Sequence, residues 1–207
     1  LVDHGFDDEL GPYLVMPLLG GSNLRRRVGG QALGPDVGLL LARPVVAALA
    51  ALHAAGYVHR DLKPENVMLT DAGTLVLIDF GLAFRDGMTK HTDTGAAAGT
   101  VGYMAPEQIE GRGVGAAADV FALGVMLYEW ITGRRPFARE RASEEVSAAL
   151  AGVYTPVAEV ERRTAAATAD LVARCLAREA SARPTAAALL AEIDRELAWP
   201  NQPSSTS

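Results

Sequence analysis

Residues 59–66, which read His-Arg-Asp-Leu-Lys-Pro-Glu-Asn, constrain the fold of this chain more than any other segment. They follow a long apolar stretch that ends at Ala55. Two short apolar runs come next, at residues 67–70 and 75–78, with Asp-Ala-Gly between them. A turn of this kind between two apolar runs predicts a β-hairpin. Because Asp79 comes directly after the second run, we expect the hairpin to hold two polar loops, one on each side of it.

The two polar loops carry complementary chemical groups. Asp61 is a proton acceptor, Lys63 is a cation, and Asn66 and Asp79 supply oxygen atoms of the kind that Mg²⁺ prefers. Phosphoryl transfer from ATP to a hydroxyl requires these groups, because the hydroxyl loses a proton while charge develops on the phosphate. An Asp-Phe-Gly tripeptide alone is a weak signal, but its position shortly after residues 59–66 makes it specific.

Residues 59–66 and 79–81 resemble the catalytic loop and the metal-binding motif of protein kinases, and Lys63 points to the serine/threonine branch. We refer to residues 59–66 as the catalytic loop. The resemblance implies that Asp61 is the catalytic base and that Lys63 neutralises charge on the transferring phosphate. It also implies that Asn66 and Asp79 bind Mg²⁺ (or Mn²⁺). The implied substrates are proteins with Ser or Thr hydroxyls.

Residues 99–107, Gly-Thr-Val-Gly-Tyr-Met-Ala-Pro-Glu, resemble the end of the kinase activation segment. The resemblance implies that Thr100 hydrogen-bonds Asp61 and Lys63. It further implies that Glu107 forms a buried ion pair with Arg183, as a structural contact rather than a catalytic one.

The stretch between Arg85 and Ala98 is polar and rich in Gly and Thr, which predicts a mobile loop. Thr92 and Thr94 stand where similar bacterial kinases are autophosphorylated. Arg60, beside the catalytic Asp, is expected to bind such a phosphate through bidentate hydrogen bonds. In the alternative interpretation these threonines only keep the loop polar. Trans-autophosphorylation would also make a homodimer possible.

Residues 13–21 resemble the strand and hinge that hold adenine in kinases. Backbone groups of Pro17 and Leu18 are expected to pair with the adenine edge. Met16 is expected at the back of the pocket and Met68 beneath the ring. Proline lacks a backbone N–H, but the resemblance requires only its carbonyl at this place. In the alternative interpretation the apolar strand is ordinary core.

Apolar periodicity predicts a mainly α protein with short β-hairpins. The resemblance implies a protein-kinase-like fold with a large C-terminal lobe and a truncated N-terminal lobe. Residues 1–19 are expected to be a remnant of the small lobe and hinge, residues 20–198 the large lobe, and residues 199–207 a disordered tail. The expected helices span residues 36–55, 117–132, 143–150, 168–176 and 185–197.

Three residues carry predictions about helix ends. Ser22 and Asp36 are expected to cap helices, and Pro44 to kink the first long helix or to mark a second start. The resemblance also implies that a buried Asp119 hydrogen-bonds the backbone of the catalytic loop.

The composition limits the partners. The 207 residues carry a net charge of −6, with a pI of about 5.2, so no basic surface suited to nucleic acid dominates. The apolar stretch before the catalytic loop is interrupted by Arg43 and Pro44, and we expect a buried helix rather than a membrane span there. The single cysteine, Cys175, is expected in the core, and the lack of disulfide capacity suits the cytoplasm. A parent protein anchored to a membrane outside this segment is compatible with that expectation.

A kinase domain also carries a glycine-rich loop over the phosphates, a strand lysine and a helix glutamate that holds this lysine. None of these can be placed here, since the only lysines are Lys63 and Lys90 and both follow the hinge. One explanation is a fragment of a longer kinase, with impaired activity as it stands. The alternative is a truncated, non-catalytic kinase that serves as a binding or scaffold module. The catalytic residues are all intact, which argues against this alternative: Asp61, Lys63, Asn66 and Asp79. A small-molecule phosphotransferase is disfavoured by the Ala-Pro-Glu segment.

Overall fold

The computed structural model describes residues 2–7, 9, 11–79, 84–85 and 101–198. The predicted phosphorylation sites Thr92 and Thr94, the predicted contact of Thr100 and the predicted disordered tail all lie outside the described residues. Arg85, which we expected in the mobile loop, lies instead in a short strand paired with Tyr57, so the prediction was wrong at this residue.

The strands are short and all their pairings are antiparallel. They are β1 (Asp3–Asp7), β2 (Gly11–Val15), β3 (Gly21–Asn23), β4 (Tyr57–Val58), β5 (Val67–Thr70), β6 (Leu75–Leu77) and β7 (Phe84–Arg85). The helices are α1 (Leu24–Val28), α2 (Pro35–Ala54), α3 (Pro106–Ile109), α4 (Ala116–Thr132), α5 (Ala142–Ala151), α6 (Val157–Val160), α7 (Ala166–Cys175) and α8 (Ala186–Ala198). Single 3-10 turns occupy Pro64–Asn66, Val101–Tyr103 and Ala180–Ala182.

Within the part of the chain that the structure describes, the strands form three small sheets, ordered β1-β2, β3-β5-β6 and β4-β7. The β5–β6 hairpin is the predicted one, with Val67 opposite Leu77. Its turn contains Gly73 at φ 78°, a left-handed conformation that glycine adopts without a steric cost. The hairpin therefore joins the end of the catalytic loop to Asp79, as the sequence predicted.

Helix α4 is the centre of the core. Apart from the buried carboxylates of Asp119 and Glu129 it is mostly apolar on every side, and it is buried along nearly its whole length, as expected for a helix without a solvent face. Phe121, Tyr128 and Trp130 are each 1% exposed. Burial of a large side chain contributes about 1.5–3 kcal/mol, so α4 is a main source of stability. Helices α2, α6 and α7 pack against α4, and α8 packs against α2.

Helix α2 runs without a break through Pro44, so the predicted second start was wrong. The lost hydrogen bond is offset by the burial of Val45, Val46 and Leu49 in the core. Helix α2 has a mean hydropathy of 1.8 and is the one helix in the described residues that is long and apolar enough to cross a membrane. Its contacts with α4 and α8 are those of a core helix.

Both predicted N-caps were displaced by one or two positions. Ser22 lies in β3, and it is Asn23 that caps α1, because its side chain accepts a hydrogen bond from the backbone N–H of Arg26 at 3.0 Å. Helix α2 begins after Gly34, with Pro35 in its first turn and Asp36 beside it rather than at the cap. A carboxylate in this turn still interacts favourably with the helix dipole.

Cys175 is fully buried at the end of α7, and burial raises the pKa of its thiol to about 12. The thiolate is the reactive form. We therefore expect no alkylation of the folded chain by iodoacetamide at pH 8, and stoichiometric alkylation in denaturant. Mass spectrometry of the intact chain measures both, and rapid labelling of the folded protein would contradict this packing of α7 on α4.

Candidate active site

The backbone of the catalytic loop is held in place by Asp119 in α4. Its two carboxylate oxygens accept hydrogen bonds from the backbone N–H groups of His59 and Arg60, both at 2.8 Å. Asp119 is 1% exposed, and the Nε2 of His53 lies 2.8 Å from the same carboxylate. The predicted contact of Asp119 with the loop backbone is confirmed.

His59 links the catalytic loop to the strand that precedes Asp79. Its Nδ1 accepts a hydrogen bond from the backbone N–H of Asp61 at 3.3 Å, which assigns the ring proton to Nε2. Nε2 then donates to the carbonyl of Ile78 at 3.1 Å. His59 is completely buried, so this imidazole is an internal connection between the two predicted loops.

The carboxylate of Asp61 is surrounded by the side chains that the sequence predicted. Lys63 Nζ donates to its Oδ2 at 2.7 Å, and Asn66 Nδ2 donates to the same oxygen at 3.1 Å. Asn66 Nδ2 also donates to the Asp61 backbone carbonyl at 2.8 Å. Among the described residues both side-chain donors use Oδ2, which leaves Oδ1 as an acceptor for a substrate hydroxyl.

Asn66 and Asp79 are brought together by the β5–β6 hairpin. The backbone N–H of Ile78 donates to the carbonyl of Asn66 at 2.9 Å, and Asp79 is the next residue. Asp79 has φ 63° and Arg60 has φ 70°, the only two left-handed residues other than glycine in the described part of the chain. Such strained conformations concentrate at functional sites.

Asn66 and Asp79 fit a magnesium ion whose remaining ligands are supplied by nucleotide phosphates and water. The amide nitrogen of Asn66 is engaged by Asp61, so its Oδ1 is the atom that can face a metal. No group of three or more His, Cys, Asp or Glu side chains suited to a metal occurs within the described residues. One amide and one carboxylate are sufficient where phosphate oxygens and waters complete the shell, which is how Mg²⁺ is commonly held.

The predicted adenine residues lie on two different elements. Met16, Pro17 and Leu18 follow β2, and their side chains are exposed, that of Leu18 completely. Met68 lies in β5, paired with Asn23 of β3. Their contacts with adenine remain a prediction.

The predicted pair of Glu107 and Arg183 is confirmed. Two parallel hydrogen bonds of 2.6 and 2.8 Å join the guanidinium to the carboxylate, and both side chains are buried. The guanidinium also lies 4.9 Å from the centre of the Phe121 ring. It donates further hydrogen bonds to the carbonyls of Ala117, Ala177 and Arg178. This pair joins α3, which begins within residues 99–107, to the segment before α8.

Two residues near the site were missed by the sequence reasoning. Gln108 in α3 donates from Nε2 to the carbonyl of Arg60 at 2.8 Å and accepts from the backbone N–H of Ala105 at 3.0 Å. Pro106 followed by a glutamine two residues later is a helix-start signal that points to α3, but not to its contact with the catalytic loop. Arg25, in α1, gave no local signal at all.

The sequence comparisons agree with this geometry. The model of the protein kinase domain matches residues 4–193. DNA damage-responsive serine/threonine-protein kinase RqkA of Deinococcus radiodurans is 40% identical over 207 aligned residues, which cover 93% of this chain and 30% of RqkA. Serine/threonine-protein kinase PknL of Mycobacterium tuberculosis is 40% identical over 132 residues, which cover 63% of this chain and 33% of PknL. The probable serine/threonine-protein kinase pknA2 of Bifidobacterium longum is 35% identical over 187 residues, or 90% of this chain and 25% of that protein.

The chain thus spans about a quarter to a third of the length of these curated relatives. All three are bacterial and carry serine/threonine kinase names. The family match covers nearly all of the described residues, including the catalytic loop, the hairpin and the buried pair that joins α3 to the segment before α8. This chain belongs to the protein kinase family.

Proposed function

We propose that this chain transfers the γ-phosphoryl group of ATP to Ser or Thr hydroxyls of proteins. The observation that carries the proposal is the set of contacts at Asp61, whose Oδ2 lies 2.7 Å from Lys63 Nζ and 3.1 Å from Asn66 Nδ2. A carboxylate held by these donors is pre-organised to orient a hydroxyl and to take its proton.

Each predicted residue has one role in the proposal. Asp61 takes the hydroxyl proton, and Lys63 stabilises negative charge on the transferring group. Asn66 and Asp79 hold Mg²⁺ or Mn²⁺, which neutralises charge on the ATP phosphates when it is bound. The adenine is held at the hinge by backbone groups of Pro17 and Leu18, with Met16 and Met68 packed around the ring.

Regulation in the proposal depends on the segment before residue 101. Phosphate groups on Thr92 and Thr94 bind Arg60 and order this segment, while Thr100 binds Asp61 and Lys63. Phosphorylation in trans requires a second copy of the chain, at least transiently. The protein acts in the cytoplasm, alone or as part of a parent with an anchor elsewhere. Residues 1–19 serve as hinge and small-lobe remnant and residues 20–198 as the large lobe.

The proposal is tested by a transfer assay with γ-labelled ATP, Mg²⁺ and a Ser- and Thr-containing protein such as casein. We expect label on phosphoserine and phosphothreonine and none on phosphotyrosine, and we expect EDTA to abolish it. The rate should be low, because the only lysines are Lys63 and Lys90 and the strand lysine that grips the phosphates is not among these residues. Single-turnover conditions with excess chain make such a rate measurable.

Three results would contradict parts of this proposal. Label on tyrosine would exclude the serine/threonine assignment. A fast, robust reaction would contradict the expected low rate. No label together with no Mg²⁺-dependent binding of ATP, measured by calorimetry, would favour the non-catalytic scaffold.

A further inference from the structure

Arg25, in the short helix α1, contacts three distant parts of the chain through one guanidinium. Its Nε donates to Glu65 Oε1 at 2.7 Å, and its Nη1 donates to Glu129 Oε1 at 2.8 Å. Its Nη2 donates to the hydroxyl of Tyr103, which in turn donates to Glu129 Oε2. These three acceptors belong to the catalytic loop, to α4 and to the turn Val101–Tyr103.

Two of the three partners of Arg25 are buried and depend on its guanidinium, whereas the side chain of Glu65 is 40% exposed. Glu129 is 6% exposed and Tyr103 is 3% exposed. A buried carboxylate is costly unless a cation neutralises it. Burial by itself lowers the pKa of Arg25, but its hydrogen bonds with Glu129 and Glu65 outweigh burial and raise that pKa overall. Burial and the charge of Glu129 raise the pKa of Tyr103. Arg25 therefore stays charged and the Tyr103 hydroxyl keeps its proton.

A second arginine, Arg135, also contacts Tyr103. The guanidinium of Arg135 lies 5.6 Å from the centre of the Tyr103 ring, the same distance as that of Arg25. Arg135 pairs with Glu145 of α5 at 3.1 Å and makes no contact with Glu65 or Glu129 that would replace Arg25. Of the charged groups that touch Tyr103 in the described residues, Arg25 is the one that also touches the catalytic loop.

We infer that Arg25 is a positioning residue for the catalytic carboxylate, acting on it from both sides. On one side Glu65 stands between Lys63 and Asn66, the two donors to Asp61. On the other side the turn that ends at Tyr103 leads into α3, whose Gln108 holds the backbone carbonyl before Asp61.

The geometry requires the planar fork of arginine. One guanidinium presents several N–H donors in fixed directions, whereas an ammonium group is a point charge with three rotating donors. Lysine at position 25 keeps the charge but cannot reach three acceptors from different elements in these directions. Without any cation at this position, Glu65 is free to turn to solvent and the turn Pro64–Asn66 loses its attachment to α4. Glu129 is left as a buried carboxylate without its cation, and among the described residues the turn Val101–Tyr103 is then joined to it only by the Tyr103 hydroxyl.

The test is hydrogen exchange of the 207-residue chain, read by mass spectrometry of peptides. For Arg25→Ala we expect exchange to rise about tenfold in peptides covering residues 59–66 and 101–109, as the loss of a hydrogen bond to a charged group predicts. Exchange in α7 and α8 should not change. Millimolar ethylguanidinium should restore slow exchange, and ethylammonium should not. Arg25→Lys should give an intermediate rise, and it remains informative if Arg25→Ala does not fold.

Arg174→Ala is the matched control. Arg174 also binds two carboxylates, but they are Asp170 of its own helix α7 and Glu192 of α8, neither of which belongs to the catalytic loop. Its loss should raise exchange in α7 and α8 and leave the catalytic loop unchanged. Unchanged exchange at residues 59–66 in Arg25→Ala, a uniform rise over the whole chain, or equal rescue by ethylammonium would each overturn the inference.

The expected effect of Arg25 on phosphoryl transfer rests on the proposed function. The hydrogen-exchange result does not depend on that function. In the transfer assay Arg25→Ala should lower the turnover rate about ten- to a hundredfold, as small displacements of catalytic groups do, with the KM for ATP unchanged. A fall in turnover matched by an equal rise in KM for ATP would contradict positioning. If no variant transfers phosphate, the proposed function fails while the exchange result still decides the role of Arg25.

Discussion

Replacement of Arg183 by alanine is expected to lower the free energy of unfolding by about 3–5 kcal/mol, which is the usual cost of removing one member of a buried ion pair. The substitution leaves Glu107 as an uncompensated charge, because its two hydrogen bonds of 2.6 and 2.8 Å both come from Arg183. It also leaves three backbone carbonyls without the donor that they share. A domain of this size has a total stability of about 5–15 kcal/mol, so this single change is expected to remove at least about a fifth of it and to lower the urea midpoint clearly.

Urea denaturation followed by circular dichroism measures this loss. The double variant Glu107→Leu with Arg183→Met is the decisive control, because it removes both charges and fills the space with apolar atoms. We expect the double variant to be more stable than Arg183→Ala alone, since no charge is left unpaired. An Arg183→Ala chain within about 1 kcal/mol of the wild type would show that α3 can leave the core at little cost, a small effect by the standard of buried sites.

The elements that the sequence predicted well are those decided by local pattern. Helix α4 is apolar at most of its positions, and the β5–β6 hairpin has two short apolar runs around a glycine turn. Such patterns fix the type of an element before any distant contact forms. The pairing of Glu107 with Arg183 was also predicted, although 76 residues separate them, but only because the surrounding motifs resembled those of kinases.

Other features depended on contacts that no local pattern reveals. Asn23 rather than Ser22 caps α1, although both residue types are good caps, because β3 extends through Asn23 and α1 begins only at Leu24. Arg25 reaches partners that lie 40, 78 and 104 residues away. The left-handed conformation of Asp79 is imposed by its surroundings, since an aspartate in a loop more often adopts ordinary angles.

In the candidate site, too, some features follow from the local sequence and others from distant contacts. Local sequence placed Asp61, Lys63 and Asn66 in one loop, and their mutual distances follow from that. The supports beneath the loop come from α3 and α4, through Gln108 and Asp119. Only the second of these supports was predicted, and the resemblance to kinases supplied it.

Replacement of Asp61 by asparagine is expected to lower the rate of phosphoryl transfer about a hundred- to ten-thousandfold, the range that a general base contributes. Asparagine has nearly the same shape, so the loop should keep its fold. Its amide cannot take the hydroxyl proton. If the amide nitrogen replaces Oδ2, it also faces two donors, Lys63 Nζ and Asn66 Nδ2, where the carboxylate oxygen accepts from both. Single-turnover measurement with γ-labelled ATP reads the rate even when the wild-type reaction is slow.

Asp36→Asn is the matched control, because it makes the same chemical change at an exposed aspartate in the first turn of α2, outside the site. We expect it to transfer phosphate at the wild-type rate. Both variants should bind Mg²⁺ and ATP as the wild type does, since neither changes Asn66 or Asp79. Equal transfer by Asp61→Asn and Asp36→Asn would show that Asp61 is not the base. Loss of nucleotide binding in Asp61→Asn alone would instead indicate that the carboxylate acts by holding the bound metal and phosphates, and that the hydroxyl proton leaves by another route.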